Sequence, residues 1–185
     1  MKWILLAFSV TVVALRSATA QTVGRLSDSA AHAFYAQHAA DYALEAHAIA
    51  AAHGRAERDG SRLSVTLRNG QRVTFVDTLA EGDEHHRFLY HQFLPALGVH
   101  DIELWFYEGR THVLVVERTG RERIVPGPPV LSPTGQRFVA ASRDLEANYE
   151  PNRLEIWRAT KQGIVREFVL DGRRGVGSRF RNLGN

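Results

Sequence analysis

Cysteine is absent from all 185 residues. No disulfide, thiolate metal site or thiol nucleophile can form, and no lipid can be attached at a cysteine after the leader. Lysine is nearly absent as well: only Lys2 and Lys161 stand against 21 arginines, the coding bias of a GC-rich genome. Long apolar runs are missing after Leu15, so no later segment is a transmembrane candidate. Neither a G-x-S-x-G elbow nor a phosphate-binding G-x-x-x-x-G-K-[ST] loop occurs, which removes the commonest hydrolase and nucleotide signatures.

A leader is present instead. Met1 and Lys2 precede an apolar run, Trp3 to Leu15, and "RSATAQ" supplies Ala18-x-Ala20 before Gln21. A basic start, a short apolar stretch and a small-residue site mark a signal peptide over residues 1–20. The run is shorter than the ~20 residues that span a bilayer. The expected localisation is exported, periplasmic or secreted, with no membrane span after signal removal.

The mature length suits one domain with a core of its own. The sequence pI of about 9.6 misleads about charge. Residues 172–185 form a basic Gly/Arg-rich tail with Arg173, Arg174, Arg179 and Arg181 and no acid. Residues 21–171 carry 17 basic and 20 acidic side chains, so the folded part is mildly acidic and no nucleic-acid partner is expected. The tail reads either as a disordered basic extension or as an altered reading frame.

Residues 21–54 predict one helix. Ser27 or Asp28 caps its start, twelve alanines fill the next 26 residues, and Gly54 stops it. Tyr35, Tyr42 and Ile49 mark a thin apolar stripe. His38, Asp41 and Glu45 share another face, expected to be a solvated one, with metal binding or proton relay as the alternative. A polar linker is expected over 55–62, and from residue 63 the pattern alternates as in strands.

"RLSVTLRNGQRVTFVD" is a hairpin. A two-residue Asn69-Gly70 turn would mix its faces. A three-residue loop, Arg68-Asn69-Gly70, sets Leu63 against Phe75 and Val65 against Val73, and register follows the buried face. Further strands are expected over 87–94, 99–107, 111–117, 123–125, 136–142, 153–158 and 164–170. "VLVVE" is apolar on both faces and should be central. "SPTG" suits a tight turn, Ser132 to Gly135, opening into the small-residue strand "QRFVAAS".

The unit of turn, small-residue strand, longer strand, tight turn and edge strand resembles a blade of the WD-repeat-like (TolB-type) β-propellers. Their signature is Ser-Pro-Asp-Gly, a basic residue and a small-residue strand. Ser132, Pro133 and Gly135 match, Thr134 replaces the aspartate, and no Trp-Asp pair follows. The resemblance covers about residues 97–171. Gly70, Gly120 and Gly163 end three similar hairpins at intervals of 50 and 43 residues, the spacing of such blades. A closed wheel needs about four blades, and this chain has room for about three. The expected fold is therefore mainly β: antiparallel hairpin repeats over 63–171, as a partial propeller-like or open meander sheet, with one N-terminal α-helix. An incomplete sheet leaves room for an oligomer.

Candidate chemistry is sparse. "EGDEHHRFLYH" gathers Asp83, His85, His86 and His91, imidazole and carboxylate donors that suit a divalent metal. Adjacent strand residues point to opposite faces, so His85 and His86 do not share an ion, and a solvated acidic loop is expected. Asp144, Glu146, Asn148 and Glu155 fall at calcium-loop offsets, yet Tyr149 stands where the turn needs glycine; a plain polar loop is expected. Trp105 and Tyr107 share a strand face and read as ordinary core. No catalytic residue and no cofactor is assigned. The expected function is an exported, non-catalytic, propeller-like binding or scaffold protein for a protein or small ligand. The alternatives are a metal-dependent exported enzyme using the His85/His86/His91 region and a calcium-stabilised module.

Recovered from the periplasm or medium of a producing bacterium, the chain is expected to begin at Gln21 by N-terminal sequencing; Met1 at its start in that fraction would reject cleavage.

Overall fold

The computed structural model describes residues 27–80, 84–107, 109–144, 152–172 and 181–182. The expected signal peptide, Asp83, Glu146, Asn148 and most of the basic tail lie outside the described residues. Among the described residues, two helices, α1 (Asp28–Gln37) and α2 (Ala39–Ala51), precede twelve strands. The first sheet holds β1 (Ala56–Asp59), β2 (Arg62–Thr66) and β3 (Arg72–Val76). The second holds β4 (His86–Leu94), β5 (Val99–Phe106), β6 (Gly109–Val116) and β7 (Glu122–Val125). The third holds β8 (Val130–Leu131), β9 (Arg137–Ser142), β10 (Arg153–Thr160), β11 (Gly163–Asp171) and β12 (Arg181–Asn182). Each sheet is an antiparallel meander in chain order, and all three are open. The fold is mainly β, as the alternation indicates. None of the helices among the described residues is long and apolar enough to cross a membrane.

The expected helix is interrupted. Ser27 caps α1 through its Oγ on the Ala30 amide (3.3 Å). His38 then leaves helical geometry (φ −101°, ψ 18°), and its ring meets Asp41 at 3.2 Å in the first turn of α2. The stop falls at His53 and Gly54, both at positive φ.

The stretch 55–62, expected as a linker, carries β1, which pairs with β2 from Ala56↔Val65 to Asp59↔Arg62. Its polar composition suits an edge strand with one buried position, Ala56. The β2–β3 register is the one set by the buried face: Leu63↔Phe75 and Val65↔Val73. The Ser132–Gly135 turn closes with Gly135 N–H donating to Ser132 O at 2.8 Å.

Period-2 alternation builds two interiors on the second sheet. One face sends Tyr90, Ile102, Val113 and Val115 against Leu63, Val65, Leu67 and Phe75 of the first sheet and its loop, with Ala48, Ile49 and Ala52 of α2. The other sends Leu94, Val99, Leu114, Val116 and Val125 against Phe138, Ala140, Trp157 and Ile164 of the third. β6 is therefore interior on both faces, as "VLVVE" requires.

Two hairpin glycines repeat one packing relation. A Cβ at Gly120 (φ +69°) would lie 2.9 Å from Leu67 Cδ1, at the end of β2. A Cβ at Gly163 (φ +131°) would lie 3.2 Å from Val116, at the end of β6. Each turn thus seats on the last apolar residue before the turn of the preceding hairpin.

Charge, rather than a wide apolar stripe, fastens α2. Arg58 on β1 meets Glu45 Oε2 at 2.6 Å and Asp77 Oδ2 at 3.1 Å, and its guanidinium also donates to the Phe88 carbonyl. Glu45, only 3 % exposed, accepts the Tyr90 amide (2.7 Å); Asp77 accepts the Phe88 amide (2.9 Å) and the Tyr42 hydroxyl (3.3 Å). The helix face expected to be solvated is thus partly buried, because β1 and β4 supply partners that helix periodicity cannot reveal. Burial pushes the Asp77 carboxyl up despite Arg58 beside it. Removing one partner of such a cluster strands the others, typically at about 3–5 kcal/mol. Arg58→Ala is expected to lower urea stability by about that amount, whereas Arg72→Ala, which breaks an exposed pair with Glu57, is expected to cost under about 1 kcal/mol.

Candidate functional site

A cleft of about 500 Å³ opens where α2, the second sheet and the third sheet converge. Leu44 and Ala48 of α2 form one wall. Leu89, His91, Glu103, Arg110 and His112 of the second sheet form the floor. The Pro126-Gly127-Pro128 segment and Ala141 to Arg143 close the far side. That closure is tight: a Cβ at Gly127 would sit 2.2 Å from the Ala141 carbonyl oxygen, so only glycine lets this backbone lie against β9.

Three side chains on the floor converge. Asp101 and Glu103 lie on one face of β5, and the β5–β6 register puts Glu103 opposite His112. Asp101 is therefore the diagonal neighbour of His112 on that face. The third member, His91, follows Tyr90 on β4, at a bulge that also brings in Gln92. β4 pairs Tyr90 with Ile102 and then Gln92 with Asp101, leaving His91 as the extra residue. A regular ladder would send His91 to the opposite face from Gln92; the bulge sets both beside Asp101. His112 Nδ1 lies 2.6 Å from Asp101 Oδ1, and His91 Nδ1 lies 3.0 Å from Asp101 Oδ2. Gln92 Nε2 donates to Oδ2 at 3.3 Å. The two imidazole rings stand edge to face, 5.6 Å apart at 82°.

Burial and charge are divided unevenly among them. Asp101 is fully buried and His112 nearly so, while the His91 side chain is half exposed to the cleft. Burial alone would raise the Asp101 carboxyl, but the hydrogen bonds from His112 and His91 outweigh it and hold it below the usual range. The hydrogen bond to Asp101 raises His91 against a smaller opposing cost of burial.

At the helix side of the cleft, Asp41 accepts Arg87 Nη1 at 2.8 Å. Arg87 is 2 % exposed, with Phe34, Tyr42 and Trp105 around its guanidinium at 5.0–5.8 Å from the ring centroids. Trp105, expected as plain core, has Arg110 over it as well, at 5.4 Å.

The residues singled out from sequence are dispersed. His91 alone joins the floor of the cleft. His85 packs 5.3 Å from the Phe34 ring, and burial lowers its basicity. It sits six residues before His91, roughly 20 Å of strand away. His86 contacts the Glu84 carbonyl oxygen through Nδ1 at 3.0 Å. Glu155 is 1 % exposed within β10, where it accepts Trp157 Nε1 (2.9 Å) and Arg166 Nη1 (2.8 Å). Asp144 is tied through its backbone N–H and C=O to the Asn152 side chain at 2.9 and 2.8 Å. Asp101, Glu103, Arg110 and His112 were not singled out. Pairing Phe106 with Gly109 fixes Glu103 opposite His112, so a register argument on β5–β6 would have found that pair. No family model, curated protein or solved structure matches the chain.

Burial opposes ionisation of Asp41, but hydrogen bonds and charge from Arg87 and His38 outweigh it and hold its carboxyl below the ordinary range. A carboxyl lowered by folding stabilises the fold fully above its unfolded value of about 4, and that stability drains as pH falls through the lower folded value. Asp41→Asn is therefore expected to be less stable than the parent at pH 7, with the gap closing below about pH 4; urea titrations across pH measure it.

Proposed function

We propose that this chain is an exported, non-catalytic binding module of propeller-like hairpin units, and that its ligand sits in the cleft between α2 and strands β4 and β9. The repeated seating of a turn glycine on the preceding unit, Gly120 on Leu67 and Gly163 on Val116, supports the propeller-like reading. The cleft carries the binding reading. Its lining combines apolar surface from Leu44, Leu89, Pro126 and Pro128 with charge of both signs from Asp41, Glu103, Arg110 and Arg143. A concave site with an apolar body and a few convergent polar groups suits a compact ligand of the same make-up: an apolar centre with charged ends, such as a short peptide or an amino-acid derivative. Leu44 is 70 % exposed on the lip, placed for contact with such a ligand.

Amide NMR spectra recorded with zwitterionic dipeptides carrying an apolar side chain test this reading. Shifts confined to α2, β4 and the end of β9 are expected, and Ala141→Trp, which fills the mouth, is expected to abolish them. Shifts spread over other faces, or unchanged in Ala141→Trp, would reject the cleft as the binding site.

A further inference from the structure

The described residues bury four carboxylates: Glu45, Asp77, Asp101 and Glu155. Glu45 and Asp77 share Arg58, and Glu155 meets Arg166 at 2.8 Å. Asp101 departs from this rule. Its partners are two imidazoles and an amide. In a chain with 21 arginines, the one buried carboxylate met by histidine is the one whose partners can release a proton and donate a lone pair. Arginine cannot do so.

Three further observations concern the same place. The donor atoms of His91, Asp101 and His112 all lie within 4.8 Å of one another. Tetrahedral bonds of about 2.0–2.1 Å put ligand atoms roughly 3.3 Å apart, so the hydrogen-bonded contacts would open slightly and the widest separation would close by about 1.5 Å around an ion. An unbroken ladder from Tyr90↔Ile102 would already set His91 opposite Asp101, and the bulge adds Gln92, which donates to Asp101 Oδ2. Bulges of this kind re-aim side chains beside functional sites. His91 and His112 also line the open cleft, and the His91 side chain is half exposed.

We propose that His91, Asp101 and His112 form a binding site for a divalent first-row transition ion of the zinc type, held through both histidine Nδ1 atoms and one Asp101 oxygen. Two imidazoles and one carboxylate favour such an ion over calcium or magnesium, which prefer all-oxygen cages. Ligation through Nδ1 leaves each imidazole's proton on Nε2. The site does not depend on an organic ligand in the cleft, and its failure would leave the dipeptide reading standing.

The test is zinc binding by the untagged, chelator-stripped full chain. Equilibrium dialysis against micromolar Zn²⁺ is expected to give one equivalent per chain, with a rise in melting temperature that grows with free zinc. Imidazole ¹⁵N spectra are expected to show the Nδ1 resonances of His91 and His112, and no others, moving with zinc. His91→Ala, a half-exposed position, is expected to remain folded by circular dichroism and to weaken zinc at least tenfold, while His85→Ala binds as the parent does. Less than a stoichiometric equivalent, ¹⁵N shifts at other histidines, or equal binding by His91→Ala would overturn the proposal. Should His91→Ala fail to fold, the ¹⁵N spectra of the parent protein decide alone.

Discussion

Arg58 occupies a place where a two-layer contact becomes a three-way junction. It extends from β1, an edge strand, and ends among a carboxylate of α2, a carboxylate just past β3 and a backbone carbonyl of β4. The helix offers little else: Ala48, Ile49 and Ala52 are its contributions to the adjoining interior. Methyl groups of alanine bury little area, so their hydrophobic contribution to docking is small. A guanidinium with five fixed donors suits the task better than lysine would, because it satisfies several acceptors in one plane at once. The position of α2, and with it one wall of the cleft, follows from this cluster and from the Asp41–Arg87 pair above it.

The second sheet gives the molecule its layering and the cleft its chemistry. Its two faces serve two interiors, and its edge strand β4 departs from regularity at one residue. Ahead of that residue, β4 sends Phe88 and Tyr90 toward the first sheet; beyond it, Leu94 turns toward the third. The same bulge brings Gln92 onto the face that His91 shares with Asp101. One extra residue thus reassigns the end of the strand to another interior and adds an amide to the histidine–carboxylate–histidine group.

Much of this was legible in the sequence, and the losses share a cause. The β2–β3 register followed from the demand that Leu63, Val65, Val73 and Phe75 share a face, and the central place of β6 from its apolar residues on both sides. These are local patterns, and local patterns survive folding. Edge strand β1 did not announce itself because an edge exposes most of its side chains and so reads as a loop. Glu45 and Asp41 looked like a solvated helix face because their arginine partners are 13 and 46 residues away. His91 was noticed for its neighbours in sequence, His85 and His86, whereas its neighbours in space, Asp101 and His112, come from two other strands. A bulge changes register without changing composition, so nothing in "LYHQF" distinguishes it from a straight strand.

Strand β6 carries a last implication. Val113 and Val115 point into one interior, Leu114 and Val116 into the other. Peeling away either outer layer would wet half of this strand and strip its backbone of support on that side, which weakens the half that remains. The two interiors are thus coupled through a single polypeptide segment. Layers joined in this way melt together as one cooperative block, not as separable modules, even though each was laid down as its own meander.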